Sequence, residues 1–172
     1  TNQAYLKDLY LQTPRTIIRD EVILNYRNIN ELTNNIGNVT INADLNRSKI
    51  SFADILFLVP SLRQTTPFKE YPNATLTVDT ELYGRVNDLT IKNLSVSGLD
   101  DLKINASGRV QNAMNMDQLA YDLSIKNFST SSKTIYKIVP KNTIPNNIRI
   151  PSQLTLKGKA KGTLKVIQPD LY

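Results

Sequence analysis

Apolar and polar residues alternate with a period of two along most of this chain, in runs separated by short polar breaks. That pattern predicts a β-rich protein, because successive side chains on a strand point to opposite faces. Leu9, Leu11 and Thr13 alternate before Pro14, and Val22, Leu24 and Tyr26 alternate after it, which reads as two strands with a bend between them. Val39, Ile41, Ala43 and Leu45 against Thr40, Asn42 and Asp44 form the cleanest half-buried strand of the first half. Ala74, Leu76, Val78, Thr80 and Leu82 then face away from Thr75, Thr77, Asp79 and Glu81, with Gly84 read as a turn or bulge. Further strands are expected at 89–91, 94–96, 102–110 and 119–125, each alternating.

Two stretches break the alternation. Residues 51–62 are the most apolar dozen, and Phe52, Ile55, Leu56, Val59 and Leu62 recur at helical spacing. Ser51 is placed to cap the first turn, Asp54 stands where a capping-box carboxylate belongs, and Pro60 ends the helix. With Phe57 and Leu58 on the other side, such a helix is expected to be buried almost all round. Its continuously apolar part is far shorter than the ~20 residues that cross a bilayer. Ile29, Leu32 and Ile36 recur at helical spacing ahead of Gly37, which predicts a short helix over 30–36 with glycine as its left-handed stop.

An internal repeat organises these elements. Residues 39–60 align without a gap on 119–140, so that Ser51 meets Ser131, Ile55 meets Ile135, and Val59-Pro60 meets Val139-Pro140. A second, weaker helix is therefore expected over 131–139. Past a connector shortened by two residues, 76–84 aligns with 154–162 and both runs end on glycine. The unit is strand, short helix, connector, long strand. Approximate units of 38–117 and 118–172 share one core, since no unit buries its apolar face alone.

Composition narrows the chemistry. The 172 residues suit one domain or a repeat array of that size, and an ordinary globular 40% are apolar. There is neither Cys nor His, which removes Cys-His and Ser-His-Asp nucleophiles, a His base and nearly all zinc sites. Asp100-Asp101 lacks the spaced oxygen ligands of a calcium loop, and no Gly-rich phosphate loop occurs. The chain is thus read as a non-enzyme without cofactor or metal. It opens on Thr-Asn with no apolar leader and is expected to be a piece of a longer protein. Its net charge is +6, and the clearest cluster is Lys157, Lys159, Lys161 and Lys165 at alternate positions. On a strand these share one face, read as a solvated outer face that deters edge pairing. Nucleic acid is not expected, because aromatic residues are not interleaved with these cations.

The inward set of the strands is aliphatic with Ala, Gly and Thr as relief, and carries nothing ionisable. Two packings satisfy it. Either the faces close on one another as a sandwich or filled solenoid, or the sheet curls into an open trough that accepts acyl chains, each CH₂ removed from water contributing ~0.8 kcal/mol and a sixteen-carbon tail roughly 10.

The run Leu11-Gln-Thr-Pro-Arg-Thr-Ile-Ile-Arg-Asp-Glu-Val-Ile-Leu-Asn-Tyr26, followed by Ile36-Gly-Asn-Val-Thr-Ile-Asn-Ala-Asp-Leu-Asn-Arg-Ser-Lys-Ile-Ser-Phe-Ala-Asp-Ile-Leu56, resembles bacterial TamB-type proteins of the AsmA-like family, Bacteroidetes branch. The likeness extends more loosely over Asn-Ala-Thr-Leu, Val-Asn-Asp-Leu-Thr-Ile and Ile-Pro-Asn-Asn-Ile. It implies a periplasmic segment of an inner-membrane-anchored protein of a Gram-negative bacterium. Its body would be an all-β, taco-like sheet with an apolar concave face that carries phospholipid acyl chains and supports outer-membrane biogenesis. A partner barrel in the outer membrane would be met by other parts of the full-length protein. On that reading the lining is Val39, Ile41, Ala43, Leu45, Leu76, Val78, Leu82, Leu102, Ile104, Leu119, Leu123, Ile125, Leu154 and Leu156, with Phe52, Ile55 and Leu56 covering part of the trough. An isolated segment is expected to dimerise to hide such a face. The alternative is a closed-core β-solenoid scaffold or adhesin module that binds protein partners through edge strands.

Overall fold

A computed structural model of the chain describes residues 2–58, 60–115, 117–139, 144, 147–163 and 167–171. Among these residues nine strands form one antiparallel sheet in strict sequence order, each hydrogen-bonded to its neighbours in the chain. They are β1 (Asn2–Gln12), β2 (Ile17–Tyr26), β3 (Thr40–Ser51), β4 (Thr75–Arg85), β5 (Asp88–Gly98), β6 (Leu102–Gln111), β7 (Ala120–Ser131), β8 (Gln153–Thr163) and β9 (Ile167–Leu171). Three short helices lie in the connections: α1 (Ile29–Asn34) before β3, α2 (Phe52–Leu58) after β3, and α3 (Ser132–Ile138) after β7. The all-β antiparallel architecture predicted from the alternation is present, as one open sheet.

The meander gives the sheet two unlike rims. On one lie the β1–β2 turn, α2, the β5–β6 turn and α3; on the other lie α1 and the β4–β5 and β6–β7 turns. The strand and helix β3–α2 have the same lengths as β7–α3 and precede them by 80 residues, and β4 and β8 both run for 11 residues.

β-Bulges fall at mid-strand on alternate strands: at Lys7-Asp8 of β1, Asn46-Arg47 of β3, Lys92-Asn93 of β5 and Lys126-Asn127 of β7. A bulge leaves backbone donors of the pair without ladder partners, and here side chains across the pair supply acceptors. Arg47 N–H donates to the Asp79 carboxylate (2.7 Å), Asn46 N–H to that of Asp20 (3.1 Å), and Glu81 N–H to the Asn93 side-chain oxygen (3.2 Å).

Several expectations need correction. The runs at 89–91 and 94–96 are one strand, β5, whose bulge between Ile91 and Leu94 imitates a break. Gly84 is neither turn nor bulge. It pairs with Ile41 and Leu89 inside β4, has φ +121, and a Cβ there would collide with the Asp88 carbonyl oxygen. Gly37 is not a left-handed stop but part of a 3-10 turn, Ile36–Asn38, pressed against the Asn87 side chain. The helix predicted over 30–36 is α1 followed by that 3-10 turn; Ile29 and Ile36 are exposed, and the buried residue of α1 is Glu31, whose carboxylate accepts the Arg27 N–H (2.7 Å). Helix α2 ends at Leu58 and Pro60 opens a 3-10 segment, Pro60–Gln64. Nor is α2 buried all round, since Phe57 is 83% exposed. Phe52 of the same helix is buried against Phe68 of the following connector, so its two sides differ. Val59 and Pro140, half of the paired Val-Pro exits, and Lys165 lie outside the described residues.

Candidate functional site

Cross-strand register sorts the side chains into two faces, because directly opposed residues in an antiparallel pair share a face. Ile41 of β3 lies opposite Leu24 of β2 and Gly84 of β4, Ala43 opposite Val22 and Leu82, and Leu45 opposite Thr80. Val78, Thr80, Leu82 and Gly84 meet Val96, Leu94, Ile91 and Leu89 of β5. The same file continues through Ile104, Ala106, Gly108 and Val110 of β6 to Phe128, Ile125, Leu123 and Tyr121 of β7. It then reaches Leu156, Gly158, Ala160 and Gly162 of β8. The reverse face carries Asn42, Asp44, Glu81, Asn105, Arg109, Asp122 and Lys159 in the intervening positions.

The predicted lining residues within strands, Ile41, Ala43, Leu45, Leu76, Val78, Leu82, Leu102, Ile104, Leu123, Ile125, Leu154 and Leu156, all fall on the first face. Two do not belong to strands. Val39 is buried beside the 3-10 turn on the α1 rim, where its carbonyl accepts the Val86 N–H (2.9 Å), and Leu119 immediately precedes β7. The file also holds residues on the far side of bulges, Ile50, Leu94, Val96 and Phe128, where the phase shifts by one residue. A basic residue beside Asn, at Asn46-Arg47, Lys92-Asn93 and Lys126-Asn127, marks each of these shifts in the sequence. One carboxylate enters the file, contrary to expectation: Asp20 lies opposite Leu45 with φ +88, and accepts the Asn46 N–H.

The face is covered at one rim only, as far as the described residues go. There Phe52, Leu99 and Leu102 are buried together, with Ile55, Phe68, Tyr71, Ala74, Leu76, Ile104, Phe128 and Ile138 packed around them. The Phe52 and Phe68 rings meet at 4.5 Å in a tilted arrangement. Leu56 is buried as well. Away from this cap, Ile41, Leu45, Leu82, Leu123, Ile125, Leu154 and Leu156 are only partly buried, by their neighbours in the sheet.

Hydroxyl–carboxylate latches hold the cap to the rim, with the partners exchanged between the two helices. At α2, Ser51 Oγ accepts the Ala53 N–H (3.2 Å), while Thr16 Oγ1 from the β1–β2 turn accepts the Ser51 N–H (3.1 Å). Asp54 makes no capping box, which corrects that expectation. It accepts a hydrogen bond from Thr13 Oγ1 (2.6 Å), and the Thr13 and Thr16 hydroxyls hold its carboxyl below the ordinary value. At α3 the carboxylate sits on the turn instead. Asp101, between β5 and β6, accepts from Thr134 Oγ1 (2.7 Å) and Thr130 Oγ1 (3.0 Å), and Thr134 N–H donates to Ser131 Oγ (3.3 Å). The Thr134 hydroxyl, above all, lowers the Asp101 carboxyl to about 2. Neighbouring Asp100 accepts from Tyr71 Oη (3.1 Å) and Lys137 Nζ (3.3 Å), which tie the connector and α3 to the same turn, and its carboxyl is lowered accordingly. Both members of the acidic pair are therefore engaged in structure.

The polar face is not uniform in charge. Its ion pairs include Lys92 with Glu81, Arg109 with Asp88 and Lys161 with Asp122. Lys159 and Lys161 lie on the part of β8 that pairs with β9 and so do not guard an edge, whereas Lys157 stands just beyond the paired stretch, Gly158 to Gly162. Among the described residues no three His, Cys, Asp or Glu side chains are grouped to hold a metal, and no helix is long and apolar enough to cross a membrane. Comparison with protein-family models, curated proteins and solved structures finds no match to this chain.

Proposed function

We propose that the apolar file lines an open, curled trough that holds phospholipid acyl chains, and that the chain is a repeating segment of a bridge-like periplasmic conduit of the TamB type. The observation that carries this reading is the pairing of a one-layer meander with an aliphatic face spanning seven consecutive strands, β2 to β8, on which the small Ala43 and Ala106 are buried but the larger Ile41, Leu45, Leu82, Leu123 and Ile125 are only partly so away from the α2–α3 rim. A closed sandwich requires a second layer on that face, and the helices supply cover only along one rim. The line of bulges supports curvature, since each bulge bends its strand and adds twist. The repeat is supported by the matching lengths and offset of β3–α2 and β7–α3.

Such a lining selects by apolarity and shape. It holds many methylenes weakly, each at ~0.8 kcal/mol, and lets a chain slide because no single contact is strong. The helices recur once per unit and seal one margin, so transport belongs to the strands between them. Membrane anchorage and the outer-membrane barrel partner belong to other parts of the full-length protein. Lipid extraction and mass spectrometry of the purified chain test the proposal: co-purified phospholipid is expected, in an amount that Ile41→Asp and Ile125→Asp reduce. A folded, lipid-free chain from a lipid-rich host would overturn it.

A second reading rests on the open edge of the sheet. β1 pairs only with β2, and Tyr5, Leu6, Tyr10 and Leu11 are exposed along it. A scaffold would recruit a partner strand there by augmentation, although the Lys7-Asp8 bulge interrupts the edge. Loss of partner binding on pairing-breaking Pro substitutions in β1, with lipid content unchanged, would favour that reading.

A further inference from the structure

Nearly all of the net charge of this protein is concentrated on one part of its polar face. Strands β2 to β5 carry five cations, Arg19, Arg47, Lys49, Arg85 and Lys92, against six carboxylates. Strands β6 to β8 carry six, Lys103, Arg109, Lys126, Lys157, Lys159 and Lys161, against Asp122 alone. All six are exposed. Register puts four of them on the face opposite the apolar file: Arg109 and Lys161 are opposite Asp122, Lys103 is opposite Ser129, and Lys159 is opposite Ser124 on one side and Asp170 of β9 on the other; Lys157 joins them by alternation with Leu156, and Lys126 sits at the β7 bulge. Arg109 and Lys161 are drawn into pairs with Asp88 and Asp122, whereas Lys103, Lys126 and Lys157 form no ion pair with a described side chain.

Like charges at alternate positions on one strand stand about 6.8 Å apart, and they repel. Edge protection does not account for most of that repulsion, because β6 and β7 are interior and β9 pairs with β8 from Gly158 to Gly162. The geometry points to an adsorption surface: the outer face of β6–β8 binds an anionic phospholipid bilayer surface through its headgroup phosphates. Composition chooses among polyanions. Between the cations lie Asn105, Ser107, Ser124, Asn127, Ser129 and Thr155. Interfaces between proteins are enriched in aromatics and Arg and depleted in Lys and Ser, the reverse of this patch. Single-stranded nucleic acid is held by a groove with stacking aromatics, and this array has none and spreads over three strands. A lysine-rich, hydroxylic field suits a surface of phosphates, bound electrostatically and reversibly.

This inference is independent of the acyl-chain reading, since it concerns the opposite face. Its test is co-sedimentation of the chain with vesicles of phosphatidylcholine alone or mixed with phosphatidylglycerol. Binding is expected only to the mixed vesicles at about 50 mM salt, with release by about 500 mM as screening shortens the reach of the charges. Each lysine near an anionic surface is worth about fivefold in partitioning, so K126Q/K157Q/K159Q should bind on the order of a hundredfold more weakly. The control K7Q/R47Q/K49Q removes the same charge from β1 and β3 and should bind like the parent. Circular dichroism checks that both remain folded. Equal weakening of the two variants would reduce the effect to bulk net charge and overturn the proposal. So would absence of binding to the mixed vesicles, or tighter capture of an oligonucleotide or an acidic polypeptide at the same salt.

Discussion

Replacing Ile41 with Asp separates an open face from a closed core. Ile41 lies mid-file between Leu24 and Gly84 and is partly buried, with no helix of the cap against it. On an open face the variant loses part of the ~1.5–3 kcal/mol that full burial of an isoleucine contributes, and its carboxylate reaches water, so the cost is about 1–2 kcal/mol. Leu102 is the internal standard. It is 6% exposed and packed with Phe52 and Leu99, so Leu102→Asp adds an unpaired buried carboxyl to a lost core side chain and costs at least ~4 kcal/mol. With a urea dependence of about 2 kcal/mol/M, the midpoint should fall by ~0.5–1 M for Ile41→Asp and by ~2 M or more for Leu102→Asp. Equal shifts would show that Ile41 sits in a sealed interior. The open-trough reasoning would then fail at its first step.

Three further outcomes follow from the same contacts. Phe52→Ala should cost ~3–5 kcal/mol and Phe57→Ala less than ~0.5 in urea melts, although the two aromatics stand on one short helix, because one is 3% and the other 83% exposed. Gly108→Ala should destabilise strongly, because Gly108 has φ +145 and a Cβ would collide with the Asp122 carbonyl oxygen; a wild-type melting temperature would contradict this. The Asp101 carboxyl is lowered from 3.8 to about 2 in the folded chain, so its contribution to stability is complete above pH ~4 and is lost as the pH falls through about 2. Asp101→Asn should therefore flatten the acid limb of the stability profile, and a profile parallel to wild type would refute the latch.

What could be read from residues alone follows physical range. Alternation is written locally, and the long strands emerged with nearly their observed phase. So did α2 and α3, because Ser51 and Ser131 cap them within three residues. The phase fails where a bulge intervenes: Ile50 and Phe128 fall out of the alternation of β3 and β7 because one extra residue flips everything beyond it, and the bulge of β5 makes one strand read as two, 89–91 and 94–96. Partners distant in the chain were not legible. Asp54 looked like a capping residue, but its hydroxyl comes from Thr13, on another hairpin. The exposure of Phe57 was hidden for a different reason. Periodicity shows which sides of a helix are apolar, but not whether anything lies above it.

The lining claim is tested most directly by photocrosslinking within living cells. A benzophenone amino acid placed at Ile41, on the apolar file, and at Asn42, its neighbour on the polar face opposite Tyr83 and away from the β6–β8 cations, differs only in which side of one strand it samples. The account predicts phospholipid adducts at Ile41 and none at Asn42. Absence of lipid at Ile41, or equal labelling at both, would contradict it.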